Sequence, residues 1–353
     1  MSKHSVDPQT NFDLQNWVGD YLPSGSLFDG PMTLTPLTGD AGFRRYFRTN
    51  TQPSLIAVAA PPNLENNLAF VHVAQSFAQG GISVPKVHAV DFHAGFLLLQ
   101  DFGEQVLQPL LSGDTVANHY STAETVLLDI QQLPHDSHIF PNYDAIKLKQ
   151  ELRLFVEWFV GALLGLQLSE QDKALLQSVD ERLVDNALAQ PQVAVHRDYH
   201  SRNLMLLQDG QLGVIDFQDA VWGPITYDLV SLLKDCYIRW PTSLVAQRAT
   251  DYQQQIEALG LMPKTDSDEF LRWFDWMGLQ RHIKVLGIFS RLALRDSKER
   301  YLNDLPRVID YVLEVTARYP DLHSFDDWFQ QRLLPEIQKQ AWFGRNQFSK
   351  TGH

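Results

Sequence analysis

The sequence predicts an α+β protein of two lobes, a small N-terminal lobe built on a β-sheet and a larger, mainly helical C-terminal lobe. Three observations carry this. Short apolar runs separated by turns fill the first hundred residues, helical periodicity takes over after Gly103, and only the window Val193 to Phe217 brings short strands back. With 353 residues, 44% of them hydrophobic, the chain can bury more than one core, at about 100–200 residues per domain.

The elements follow in order. Met32 to Leu37 and Phe43 to Phe47 flank the turn Thr38-Gly39-Asp40-Ala41-Gly42, which reads as a hairpin. Leu55 to Ala60 is an apolar strand stopped by Pro61-Pro62. Phe70, Val73, Ala74 and Phe77 then recur at helical spacing until Gly80-Gly81, and Val87 to Val90 pairs with Phe96 to Leu99 across a turn. Helices are expected at about 122–133, 147–166, 171–189, 227–238, 243–259, 267–294, 305–317 and 325–338. The two lobes, 1–102 and 103–353, should enclose a cleft, with Gln100 to Gly103 as the connection.

Composition removes several function classes. Twenty-nine Lys and Arg against 42 Asp and Glu leave a net charge of −13, which argues against nucleic acid and anionic membrane as partners. The single cysteine, Cys236, excludes an internal disulfide and a cysteine-rich zinc site and fits a reducing compartment. The polar N-terminus and the lack of any run of about 18 apolar residues lead us to expect a cytoplasmic protein, monomeric or weakly dimeric.

The chemistry concentrates in Val193-Ala-Val-His-Arg-Asp-Tyr-His-Ser-Arg-Asn203 and Gly213-Val-Ile-Asp216-Phe. Asp198, Asn203 five residues later and Asp216 thirteen beyond that each lie at a strand end, so two carboxylates and an amide can converge. Hard oxygen ligands such as Asn203 and Asp216 suit Mg²⁺, which takes one or two carboxylates plus substrate phosphates. A carboxylate set back from the metal, Asp198, can accept a proton from an incoming hydroxyl. His196 reads as an internal donor that fixes the loop, and Asp228 either caps the next helix or braces that loop.

His196-Arg197-Asp198 with Asn203, then Asp216-Phe217-Gln218-Asp219, resembles the catalytic loop and metal-binding segment of protein-kinase-like phosphotransferases, closest in form to the aminoglycoside and choline kinase branch. The resemblance implies ATP with Mg²⁺, and adenine against the backbone from Gln100 to Phe102. Gly39 and Gly42 would let backbone N–H groups approach phosphates. The lysine that kinases carry on the third strand is missing, since no lysine lies between His4 and Pro85. Arginines stand nearby instead. Strand alternation puts Arg45 on the aromatic face of Phe43 and Phe47, which makes Arg45 the first candidate to grip phosphates and Arg44 the second, with Glu65 as a partner for one of them.

A narrower resemblance, to the N-acetylmuramate/N-acetylglucosamine anomeric kinases of bacterial cell-wall recycling, rests on Gly42-Phe-Arg-Arg-Tyr-Phe-Arg48, the Ala-Pro-Pro ending at Pro62, Glu151-Leu-Arg-Leu-Phe155 with Glu157-Trp158, Asp228 to Trp240 and Gly278 to Phe289. It implies phosphorylation of the C1 hydroxyl of the amino sugar. Candidate acceptor contacts are Tyr199, His200 and Arg202 in the loop, Glu151, Trp158, Arg239, and Arg281 with Lys284. Arg281 interrupts an apolar helical stripe of Phe274, Met277, Val285, Ile288 and Leu292, so it requires an anion, either a substrate carboxylate or an internal partner such as Asp235 or Asp275. Two other functions stay open, an aminoglycoside-type antibiotic phosphotransferase and a non-catalytic nucleotide-binding module. A net +4 over residues 271–300 speaks against a polycationic acceptor, and the joint presence of Asp198, Asn203 and Asp216 against a non-catalytic role.

Overall fold

The computed structural model describes residues 8–28, 30–37 and 42–345, so Gly39 and the tip of the expected hairpin lie outside the described residues. The chain forms two compact units, residues 1–140 with 201–220, and residues 141–200 with 221–353.

The first unit begins with helix α1 (Pro8–Asp20), which the sequence reading did not anticipate. Strands β1 (Leu34–Pro36), β2 (Arg45–Thr49) and β3 (Leu55–Ala59) follow, then helix α2 (Asn67–Gln79), strands β4 (Val87–Asp91) and β5 (Phe96–Gln100), and helix α3 (Val116–Gln131). The five strands form one antiparallel sheet in the order β1-β2-β3-β5-β4. Period-two alternation puts Phe47, Leu55, Ala57, Ala59, Phe96 and Leu98 on one face, where Leu14, Trp17 and Val18 of α1 cover them. These three α1 residues stand at i, i+3 and i+4, so the signal for that helix was present in an otherwise polar segment.

Asn66 caps α2 by accepting the Ala69 N–H at 3.0 Å. The buried stripe of α2 then meets aromatic partners, Phe70 5.0 Å from Phe217, and Phe77 5.8 Å from Phe217 and 6.3 Å from Phe140, measured between ring centroids. Helix α3 starts six residues before its expected position, because Ser112 and Thr115 bond each other's backbone and close a turn ahead of Val116.

The second unit opens with α4 (Ala145–Leu154), which passes directly into a π-helical stretch, Phe155–Leu163, where one continuous α-helix was expected. The change of register coincides with the point where Gly287 lies on the Leu154–Phe155 peptide; a Cβ there would stand 2.3 Å from the Leu154 carbonyl carbon. Helix α5 (Glu170–Ala189) follows, then β6 (Gln192–Val195). Strands β7 (Leu204–Leu206) and β8 (Leu212–Val214) form a hairpin that belongs to the first unit, tied to it by Leu107 N–H to Leu204 O and Val214 N–H to Ser83 O, both 2.8 Å. The boundary expected at 102/103 marks the end of the sheet, whereas the first unit also holds α3 and this hairpin.

Strand β9 (Val221–Pro224) returns to the second unit and pairs antiparallel with β6. Helices α6 (Tyr227–Leu233), α7 (Thr242–Ala258), α8 (Ser267–Leu294), α9 (Leu305–Arg318) and α10 (His323–Trp328) complete most of it, with α11 (Leu334–Gln338) and α12 (Ala341–Arg345) at the end. Helix α6 stops five residues early because the Asp235 side chain accepts the Tyr237 N–H at 3.0 Å, replacing the helical bond. Helix α8 corrects the sequence reading more substantially. Every residue from Phe274 to Gly287 is buried, so there is no apolar stripe opposed to a wet face, and Arg281 and Lys284 are interior cations. The local excess of positive charge over 271–300 is thus partly internal. Among the described residues no helix is long and apolar enough to cross a membrane.

Candidate active site

In the first unit, three arginines on and beside β2 have three separate fates. Arg44, just before the strand, is the inward one, 8% exposed, with Nη1 2.9 Å from Glu65 and its guanidinium 5.4 Å over the Phe70 ring. Arg45, expected to point inward, turns back on its own chain and donates to the Gly42 and Arg44 carbonyls at 3.2 and 3.1 Å. The physical reason is the position of α2: Glu65 precedes the helix and also accepts the Phe43 N–H at 2.8 Å, so the acid faces Arg44. Gly42, at φ +100°, allows this close approach. Arg48 clamps the connector instead, bonding both oxygens of Asp101 at 2.6 and 3.2 Å, Glu104 at 2.5 Å and the Gly103 carbonyl at 3.1 Å.

Phe70 links this corner to the β8 end of the hairpin, since it carries Arg44 on one side and packs on Phe217 on the other. Asp216, immediately before Phe217, is exposed and sits at φ +64°, a conformation of restricted access that costs about 1–3 kcal/mol and is tolerated best by Asn and Asp. Asn203 donates to Asp216 Oδ2 at 3.4 Å, and Gln218 to Oδ1 at 2.8 Å. Burial, then the charge of Asp216, raises the Tyr46 hydroxyl well above its ordinary pKa, with Arg44 opposing and Glu65 adding. The structure thus gathers Arg44, Glu65, Tyr46, Asn203 and Asp216 in one unit. No group of three or more His, Cys, Asp or Glu among the described residues could hold a metal, so a cation here would rest on an amide, one carboxylate and phosphate oxygens. Of the proposed adenine contacts, Gln100 donates its N–H to the Lys86 carbonyl, and Phe102 packs against Gly213, where a Cβ would stand 2.5 Å from the ring. Arg202 donates to Gln108 at 2.8 Å.

In the second unit, β6 ends at Val195 and the loop turns at once. Arg197 takes a left-handed φ of +77°. Asp228, fully buried at the start of α6, holds that turn by accepting the His196 and Arg197 N–H groups at 2.6 and 2.9 Å; it braces the loop and is not the α6 cap, which is Thr226. His196, also fully buried, accepts the Asp198 N–H on Nδ1 at 3.3 Å and stands edge-on to Tyr199. Tyr199 is core, not rim, at 0% exposure. His200 packs edge-on against Tyr237, and its buried Nδ1 has no hydrogen-bond partner among the described residues.

Asp198 is half-buried. Burial drives its carboxyl upward, but Lys284, His200, Arg197 and Arg281 together hold it below the ordinary value, so it is ionised at neutral pH. Burial pushes Asp228 the other way, up to about 7, against the two N–H bonds and with Asp198 adding to the rise. At neutral pH Asp198 is therefore ionised, whereas Asp228 stands near the midpoint of its titration.

The remaining candidates are engaged internally. Glu151 accepts from Tyr143 and Arg197 and pairs with Lys284 at 3.0 Å, and Lys284 also donates to the Tyr227 hydroxyl at 3.0 Å. Arg281, 3% exposed, donates to Cys236 Sγ at 3.3 Å; neither Asp235 nor Asp275 takes it, Asp275 being held by Lys234 and Arg318 at 2.7 and 2.6 Å. Arg239 pairs with Glu314 and Asp310 of α9 and lies over Tyr311. Trp158 is half-buried on the π-helical stretch. Sequence reasoning assigned no role to Arg197, Tyr143 or Tyr237; Arg197 was signalled by its place beside Asp198 and Tyr237 by the stretch Asp228 to Trp240, whereas nothing in the sequence marked Tyr143.

An antiparallel five-stranded sheet with helices α1 to α3 in the first unit, a mainly helical second unit, and an aspartate loop between short strands define a protein-kinase-like phosphotransferase. The chain belongs to the phosphotransferase enzyme family, whose sequence pattern matches residues 33–263. It is similar to the N-acetylmuramate/N-acetylglucosamine kinase of Pseudomonas putida, 41% identical over 337 residues and 95% of each chain. The enzyme of the same name from Pseudomonas aeruginosa is 39% identical over 88% of this chain and 93% of its own. Among solved structures, the ethanolamine kinase of Plasmodium vivax shares the fold with a TM-score of 0.61 at 10% identity, over 92% of this chain and 98% of that one.

Proposed function

We propose that the protein is an ATP-dependent kinase that transfers a phosphoryl group to the anomeric C1 hydroxyl of N-acetylmuramate or N-acetylglucosamine, in the cytoplasm, during recycling of cell-wall sugars. The observation that supports it most is the 41% identity, spread over 95% of both chains, to a kinase of that substrate class.

Asp198 is the catalytic base. Its carboxylate, kept ionised by the surrounding cations, orients the sugar hydroxyl and takes its proton as the oxygen attacks the γ-phosphorus and the bond from that phosphorus to the β–γ bridging oxygen breaks, releasing ADP. An anomeric hydroxyl is more acidic than an ordinary alcohol, so orientation contributes more than base strength. Asn203 and Asp216 suit Mg²⁺ in their donor chemistry, one amide and one exposed carboxylate held together. When bound there with the nucleotide, Mg²⁺ neutralises charge on the β and γ phosphates. His200, whose buried Nδ1 has no partner among the described residues, is the loop residue best suited to an acceptor hydroxyl or phosphate oxygen. His196 and Asp228 hold the loop.

Arg44 takes the place of the missing lysine, for two reasons. It is paired with Glu65 at 2.9 Å, and its buried Nε has no acceptor among the described residues. Arg44→Gln should raise KM for ATP about tenfold, the size of one charge-assisted contact, and leave KM for the sugar unchanged. Arg45→Gln should leave both within twofold; a larger effect from Arg45 would reverse the assignment. Sugar-dependent ADP release over a panel of N-acetylated sugars and aminoglycosides tests the function itself. Turnover on an aminoglycoside alone, or nucleotide binding without turnover on any acceptor, would overturn it.

A further inference from the structure

We propose that Glu151 is a positioning residue, the shared counter-ion that ties Arg197 and Lys284 in place around Asp198, and not a contact for the acceptor sugar. The inference rests on the reading of Asp198 as the catalytic base.

The Glu151 carboxylate is almost fully engaged by protein. One oxygen takes both the Arg197 guanidinium and Lys284 Nζ, the latter at 3.0 Å, and the other takes the Tyr143 hydroxyl. With a side-chain exposure of 13%, it has little surface left for a sugar hydroxyl. The group closes into a ring of contacts. Lys284 donates to Tyr227 at 3.0 Å, Tyr227 stands edge-on to Tyr143 at 5.5 Å, and Arg197 lies over the Tyr143 ring at 5.5 Å. Five separate pieces of chain meet there: the segment before α4, α4 itself, the loop after β6, α6 and α8.

Charge explains why an acid is needed at this position. Arg197 and Lys284 are two cations with two anions, Glu151 and Asp198, so the set is neutral. Removing Glu151 leaves one buried cation uncompensated, and the acid available to both cations is then Asp198. Glu151 therefore keeps Arg197 and Lys284 beside the base without letting them occupy it. Arg197 is the more sensitive of the two, because its left-handed backbone is held from one side by Asp228 and its side chain from the other by Glu151.

The test compares Glu151→Gln, which keeps shape and loses charge, with Glu151→Asp, which keeps charge at shorter reach. In Glu151→Gln, kcat for sugar phosphorylation should fall ten- to hundredfold with KM for sugar and ATP within threefold, and Glu151→Asp should recover at least threefold of that loss. A tenfold rise in KM for the sugar with kcat near the parent value would make Glu151 an acceptor contact and overturn the inference, as would unchanged constants. Crystal structures of parent and Glu151→Gln give a readout independent of turnover. The Arg197 and Lys284 head groups should move by more than about 1 Å toward Asp198, and identical positions would contradict the assignment. A parent enzyme silent on every sugar would overturn the functional reading alone, while the pair of structures still decides whether Glu151 holds the two cations.

Discussion

Asp198→Asn lowers sugar-dependent turnover by about 10²–10⁴-fold, the range lost when a positioned general base is removed, while KM for ATP stays within a few fold. The amide keeps the shape of the carboxylate and accepts no proton. The parent carboxyl is held below its ordinary pKa despite burial, which means that Lys284, His200, Arg197 and Arg281 favour its charged form in the folded protein. Its contribution to stability is present above the unfolded pKa and is lost as pH falls through the lower folded value. The variant should accordingly be somewhat less stable at neutral pH, and unfolding must be followed on the same preparation as ADP release. Near-parent turnover in a folded Asp198→Asn protein would remove Asp198 from the chemistry.

Asp228→Asn affects both stability and rate. The parent carboxyl group offers both of its oxygens to two buried N–H donors, at 2.6 and 2.9 Å, and the amide has one oxygen for them. One unsatisfied buried donor costs about 1–3 kcal/mol. The sign of the pH dependence is opposite to that for Asp198. Burial raises the Asp228 pKa from 3.8 to about 7, so its contribution is fully present below pH 3.8 and is lost as pH rises through about 7. Between those limits the slope is at most about 1.4 kcal/mol per pH unit. Asparagine has no such titration. Denaturant unfolding should therefore show the variant less stable than the parent at pH 5, with the difference shrinking toward pH 8. A gap that widens with pH would mean that the carboxylate is stabilised, not penalised, by its site. Turnover should fall at least tenfold at both values, because the loop that carries Asp198 loses an anchor.

The parts legible in the sequence were those encoded by local pattern. Turn residues and period-two apolar runs gave the sheet, and the spacing of Asp198, Asn203 and Asp216 gave the candidate site, because each lies at the end of a short strand. Side-chain partnership between distant segments was not legible. Alternation along β2 assigned Arg45 inward, yet Glu65 at the foot of α2 selects Arg44, twenty-one residues away in the chain. Periodicity along α8 singled out Arg281 as one buried cation, yet tertiary packing buries Lys284 as well and supplies Glu151 as its partner. Asp228 could equally cap or brace from sequence, and only the pairing of β6 with β9 brings the His196 and Arg197 amides to it. Helix α1 was missed because three apolar residues in a polar segment are a weak signal until a sheet face requires covering.

The most direct test of the proposed reaction is ³¹P NMR of the product formed from N-acetylmuramate, ATP and Mg²⁺, with N-acetylglucosamine in parallel. Transfer to the anomeric oxygen predicts a sugar 1-phosphate, with the phosphorus coupled to the anomeric proton, absent when Asp198→Asn replaces the parent. A phosphomonoester on O6, or ADP release with no phosphorylated sugar, would contradict it.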